Sequence, residues 1–132
     1  MQILGNVLLV GLGLFIALVI GMNIFVRRAA RALAGQPLPE LPGQLGKSIS
    51  GAKQGLVYFF SPGCAACRPI TPKIKALSSK NKNVFAVDVT ENLDLARALR
   101  VMATPSILEI GEGRVVDVHV GGLPPALLQK FS

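Results

Sequence analysis

Hydrophobic and polar positions divide this chain into two unlike parts. From Ile3 to Val26 there is no charged side chain. Wound as a helix rising about 1.5 Å per residue, the stretch is roughly 36 Å long, enough to cross a hydrocarbon core of about 30 Å. A helix apolar on every face needs lipid or a large protein around it, and the rest of a 132-residue chain is too small to supply the protein. Residues 3–26 therefore read as one transmembrane helix. Residues 27–44 read as a basic flank followed by a linker, because "GQPLPELPGQLG" brings three prolines among glycines. Such a linker is expected to hold the next domain near the bilayer without fixing its orientation.

From residue 45 to 132 the periodicity changes repeatedly, as it does in one small domain. "GLVYFF" (Gly55–Phe60) is a continuous apolar run suited to a strand buried on both faces. Ile70, Ile74 and Leu77 recur at helical spacing within Pro69–Ser79. Asn83–Val89 reads as a second strand, and Leu93–Leu99, acidic early and basic late, as a short helix. Ser106–Ile110 and Arg114–Val120 read as strands joined across Gly111-Glu112-Gly113 into a hairpin. Pro124 and Pro125 open a last helix over Leu123–Phe131. The order predicts an α/β domain whose mixed sheet has an early parallel crossover and a late antiparallel hairpin.

Charge refines the first part. Arg27, Arg28 and Arg31 follow the apolar run and no basic side chain precedes it, which by the positive-inside bias puts the N-terminus outside and the domain in the cytoplasm; the alternative is an extracytoplasmic domain. The same arginines, the length of the apolar run and the start Met1-Gln2 oppose a cleaved signal peptide, although Ala32-Leu33-Ala34 has the look of a cleavage site. Gly13, Ala17 and Gly21 share one helix face, through which two copies can pair as a homodimer. The formal charge of +7 includes the three arginines, and no basic run is interleaved with aromatics, so nucleic-acid binding has no support.

Candidate chemistry lies in "FFSPGCAACRPITP" (Phe59–Pro72), which holds both cysteines, Cys64 and Cys67. A pair at i and i+3 where a strand hands over to a helix puts both sulfurs at the helix's first turn. There the unpaired N–H groups favour a thiolate on the first cysteine, and the second stands ready to resolve a mixed disulfide. Cys64 would then be the nucleophile and Cys67 the resolving thiol. Two other readings stay open. Zinc needs four ligands, against two cysteines and the lone His119, so a metal role narrows to Cu(I) held by two thiolates. The pair is otherwise inert. His119, alternating with Val118 and Val120, reads as a surface-facing strand residue.

The order of elements, the CxxC and the later Thr104-Pro105 together resemble the thioredoxin superfamily over roughly Leu45 to Phe131. The strand Val57–Phe60 leads into Ser61-Pro62-Gly63-Cys64-Ala65-Ala66-Cys67, Arg68 follows the second cysteine, and Pro72 lies where thioredoxins kink the active-site helix. The resemblance implies a thioredoxin-like fold trimmed at its N-terminus, with a cis bond before Pro105. It also implies substrate contacts at Gly63, Thr104 and Pro105, with Tyr58, Arg68 and Pro72 supporting the site. Electrons would be carried by the Cys64–Cys67 disulfide alone, with no other cofactor and no metal. Partners would be protein thiols and disulfides, chiefly of membrane or membrane-surface proteins.

The departures are informative. Thioredoxins proper carry Trp before the first cysteine and Gly-Pro between the pair, where this chain has Gly63 and Ala65-Ala66. They bury an aspartate where this chain has Tyr58, and a phenol is a poor base near neutral pH, so slower reduction of client disulfides is expected. The leading expectation is a membrane-anchored thiol–disulfide oxidoreductase acting as a reductant or redox sensor. Its rivals are a redox-inactive thioredoxin-fold adaptor and a Cu(I) carrier.

Overall fold

The computed structural model describes all 132 residues. Helix α1 runs unbroken over Gln2–Ala32, past the apolar run and through the arginines. It is followed by α2 (Gly43–Gly51), β1 (Gln54–Phe60), α3 (Thr71–Lys80), β2 (Val84–Asp88), α4 (Leu93–Ala98), β3 (Ser106–Gly111), β4 (Arg114–Val120) and α5 (Pro125–Phe131). The four strands form one mixed sheet in the order β2-β1-β3-β4. β1 pairs parallel with β2 and antiparallel with β3, and β3 pairs antiparallel with β4. This is the thioredoxin-like α/β arrangement expected from the order of elements.

Alternation along β1 builds a core on each face of the sheet. Val57 and Phe59 pack with Val87, Leu108, Ile110, Ile49, Leu95 and Leu99 under α2 and α4. Leu56 and Tyr58 pack with Ile74, Ile107, Leu127 and Phe131 under α3 and α5. The hairpin turns on Glu112 and Gly113, both at positive φ, the geometry whose twist matches that of its strands. On the second face the buried Glu109 of β3 is closed off by an ion pair with Lys130 of α5.

Between α1 and β1 the structure adds a helix and corrects the loose linker. Residues 43–51 form a helix although Gly43, Gly46 and Gly51 give it poor intrinsic propensity. It forms because Ile49 is fully buried in the first core. The preceding residues are also no loose linker. The Gly35 and Leu38 N–H groups donate to the carbonyls of Val115 (2.6 Å) and Gly113 (2.8 Å), and the Val115 N–H donates to the Gln36 carbonyl (2.9 Å). Pro37 thereby bridges Arg114 across the free edge of β4. Proline has no N–H to extend the ladder, so the pairing stops at that bridge. Leu33 and Leu41 at either side are buried, and Ala30 packs against the same core. The domain is thus fixed to the end of α1.

Gly46 is where α2 crosses Leu41, and a Cβ there would stand 2.7 Å from the Leu41 carbonyl carbon and oxygen. Backbone cannot swing aside as a side chain can. Gly46→Ala should therefore cost about 1–3 kcal/mol of stability, as overpacking does, read as a lowered midpoint in denaturant unfolding of the full chain in detergent.

Candidate active site

The ends of β1 and β2 and the starts of β3 and α5 bring four loops to one end of the sheet, and the cysteine motif is one of them. β1 reaches that end through four consecutive fully buried residues, Leu56 to Phe59. Ser61-Pro62-Gly63 turns the chain outward, and Ala65–Cys67 forms a single 3-10 turn with Cys64 as its cap. Cys64 and Cys67 are joined by a disulfide with their Cα atoms 5.3 Å apart. Cys64 is half-buried, and Cys67 is buried. The Cys67 N–H donates to the Cys64 sulfur at 3.2 Å. On reduction, that N–H would face the Cys64 sulfur as a hydrogen-bond donor.

The helix after the motif differs from expectation. Instead of one helix over Pro69–Ser79 with a kink, the 3-10 turn and α3 are separate elements. α3 starts at Thr71, so Pro72 lies in its first turn. A proline there needs no hydrogen bond, and its ring would clash with a helical carbonyl four residues back, so the break falls where the sequence places the proline.

Tyr58 stands beneath this turn. Its hydroxyl lies 2.8 Å from Thr71 Oγ1 and donates toward the Cys67 carbonyl at 3.3 Å, which also accepts from the Thr71 hydroxyl at 2.9 Å. Burial pushes the phenol above its ordinary pKa of 10.0, against a smaller downward pull from Thr71. Tyr58 is therefore a neutral donor that ties the Cys67 backbone to the central strand, and it offers no base. Thr71 escaped the sequence reading, although its place four residues after Cys67, one helical turn on, is the signal for such a contact.

The second wall is the loop before β3. The Thr104–Pro105 bond is cis. Thr104 Oγ1 lies 3.4 Å from Ser61 Oγ, so this loop and the cysteine loop are joined directly. The Pro105 carbonyl accepts from the Gly121 N–H at 3.0 Å, and Gly121 takes a φ of +91° there, which brings the start of the last loop alongside. Of the other expected site residues, Gly63 is exposed with open space where a Cβ would lie. Arg68 is exposed at the end of the 3-10 turn, its N–H donating to the Ala65 carbonyl. His119 is half-buried on β4, 3.4 Å from Asp117.

Known proteins share this arrangement. The thioredoxin family model matches residues 44–132, most of the chain beyond α1. The chain belongs to the thioredoxin family. Thioredoxin H-type of Fagopyrum esculentum is 31% identical over 105 residues, covering 78% of this chain and 90% of its own length. Thioredoxin-2 of Pyricularia oryzae is 42% identical over 87 residues, 64% of this chain, and the chain spans about half of that relative's length (51%). The reduced thioredoxin pre-protein of Schistosoma mansoni superposes with a TM-score of 0.57 at 29% identity, covering 71% of this chain and 95% of that one. With its bridged CxxC, this member of the family is a thiol–disulfide oxidoreductase, and thioredoxins act on the thiols and disulfides of proteins.

Tyr58→Phe removes the hydroxyl that meets Thr71 and donates toward the Cys67 carbonyl, and should lower stability by about 1 kcal/mol at neutral pH. The folded phenol holds its proton above 10.0, the value at which the unfolded one ionises, so wild-type stability attributable to this group declines as pH rises beyond 10. The phenylalanine variant lacks that decline. Unfolding curves of the two proteins should therefore converge at alkaline pH.

Proposed function

We propose that this chain is a membrane-anchored reductant or redox sensor that works on membrane proteins from the cytoplasmic side. The observation that carries the chemistry is the Cys64–Cys67 bridge at the end of β1, tied through Ser61 to Thr104 and the cis Pro105. In the reduced enzyme the Cys64 thiolate attacks one sulfur of a client disulfide, forming a mixed disulfide and releasing the other client sulfur as a thiol. Cys67 then attacks Cys64, releases the second client thiol and leaves the Cys64–Cys67 disulfide. Two electrons pass to the client, and a cytoplasmic thiol donor restores the pair. Thr104 and Pro105 present backbone to the extended client, with exposed Gly63 leaving its approach open. Tyr58, Arg68 and Pro72 support the motif, Tyr58 and Pro72 by fixing the turn and the helix start. No metal or other cofactor takes part in this scheme.

The anchor rests on α1, whose apolar residues are exposed along its whole length up to Phe25. Retention of that helix is supported by its far end. The candidate cleavage stretch Ala32-Leu33-Ala34 contains Leu33, buried in the domain core at 6% exposure, and cleavage after Ala34 would strip that side chain from the core. Orientation rests on Arg27, Arg28 and Arg31. Anchoring raises the effective concentration for membrane clients. The exposed face of Gly13, Ala17 and Gly21 offers a second copy close approach.

Full chain in detergent should reduce insulin with dithiothreitol as donor, Cys64→Ser should fall to background, and Cys67→Ser should accumulate mixed disulfide. An inactive wild type with a disulfide resistant to dithiothreitol would make the protein an adaptor, and stoichiometric Cu(I) lost in either mutant would make it a carrier. A membrane-impermeant maleimide should label Cys64 only after lysis of reduced cells. Labelling of intact spheroplasts would place the domain outside.

A further inference from the structure

The direction in which α1 lies along the domain says which end of the domain meets the membrane. Going away from the span, the chain passes Val26 and Ala30, reaches the buried Leu33, and then pairs Gly35 with Val115 and Leu38 with Gly113. Those partners lie at the hairpin end of β4. Its other end, Val120 and Gly121, borders a cavity with Leu18, Val19 and Met22 of the apolar run. The helix therefore descends beside β4 from Val120 toward Val115. The hairpin is the far end of the domain, and the near end is the one that carries the cysteines and the cis proline.

Further features mark the same end. Thr104 lines that cavity of about 470 Å³, so one wall is membrane-spanning helix and the other is the loop joined to the cysteine motif. Arg27, the first charged residue after the span, lines the cavity's outer end at headgroup depth, while Leu18, roughly 13 Å earlier along the helix, carries its wall into the hydrocarbon. In addition, Met102 (56% exposed) on the loop before β3 and Leu93 (53%) at the start of α4 put large apolar side chains in water at this end. Both border a second cleft with Thr104.

We infer that the active-site end of the domain faces the bilayer, and that the cavity between α1 and Thr104 receives the segment by which a client membrane protein leaves its own transmembrane helix. This rests on the anchored-oxidoreductase reading above. Of the occupants available at that depth, an emerging helix end fits both walls: its apolar last turn lies against Leu18, Val19 and Met22, and its extended continuation meets the backbone of Thr104 and Gly121. β1 lies two strand spacings, roughly 10 Å, from β4, so about three extended residues carry the client from the cavity to Cys64. The reactive client cysteine is accordingly juxtamembrane.

The chain contains no tryptophan, so a single introduced one reports depth alone. In vesicles, Met102→Trp should be quenched by headgroup-nitroxide lipid, whereas Val116→Trp, exposed near the hairpin, should not. A client helix carrying a disulfide-linked probe three residues outside the bilayer should be reduced at least about tenfold faster than one carrying it on a long flexible spacer. Inserting a Gly/Ser segment between Arg28 and Ala29, which keeps Ala30 and Leu33 on the domain, should abolish that preference while insulin reduction persists. Equal quenching of the two tryptophans, equal rates for the two clients, or a preference that survives the insertion overturns the inference and leaves the anchored oxidoreductase standing. A wild type that neither floats with vesicles nor reduces insulin removes the underlying reading instead.

Discussion

A strand covered on both faces and paired on both edges has one way to deliver a functional group, which is at its end. β1 is that strand here. Leu56 to Phe59 are fully buried, with β2 and β3 on the two edges. Everything chemical follows from where the next residues leave it. Ser61 reaches Thr104, the 3-10 turn sets the Cys67 N–H against the Cys64 sulfur, and Tyr58 holds the Cys67 carbonyl from below. The site is made of short loops, but each is fixed by a hydrogen bond to a neighbour or to the central strand. A thiol pair that must face water and partner alike gains its geometry from a core that meets neither.

The same position carries the departure from the family's pattern. Family resemblance places a buried acid where this chain has Tyr58, and an acid there can move protons for the resolving thiol. A buried phenol holds its own proton more firmly than it would in water, so it can donate a hydrogen bond but not accept a proton. What Tyr58 provides is positional. Its hydroxyl and that of Thr71 gather around one backbone carbonyl and share two protons among the three oxygens, so the phenol offers no route for a proton from Cys67.

Much of this was legible in the sequence, and the reasons differ by element. The strands were readable because burial on both faces leaves continuous apolar runs, and the hairpin because Glu112-Gly113 supplies the positive φ values it needs. The cis bond at Pro105 came from family resemblance, since nothing local in Thr104-Pro105 demands it. What escaped were features whose cause lies far away in the chain. α2 is glycine-rich and shows no helical pattern, and only Ile49 entering a core built by residues as far on as Val118 makes it a helix. Likewise Gly35–Leu38 reads as loose because its prolines and glycines oppose regular structure. Its partner is the edge of β4, which no local pattern announces.

That strap carries two consequences at once. An open edge strand offers unpaired N–H and C=O groups to any other chain, and β4 would be such an edge without it. Here the chain's own exit from α1 caps the edge, so the contact that protects the sheet also fixes the domain against the helix. A flexible tether would have separated those roles, leaving the edge to be guarded by charge and the domain free to tumble. Because Leu33 caps α1 and also belongs to the domain core, losing the end of that helix would remove part of the core. The end of α1 and the domain are in this sense one folding unit, and the direction of the cysteine motif relative to α1 is a property of the fold.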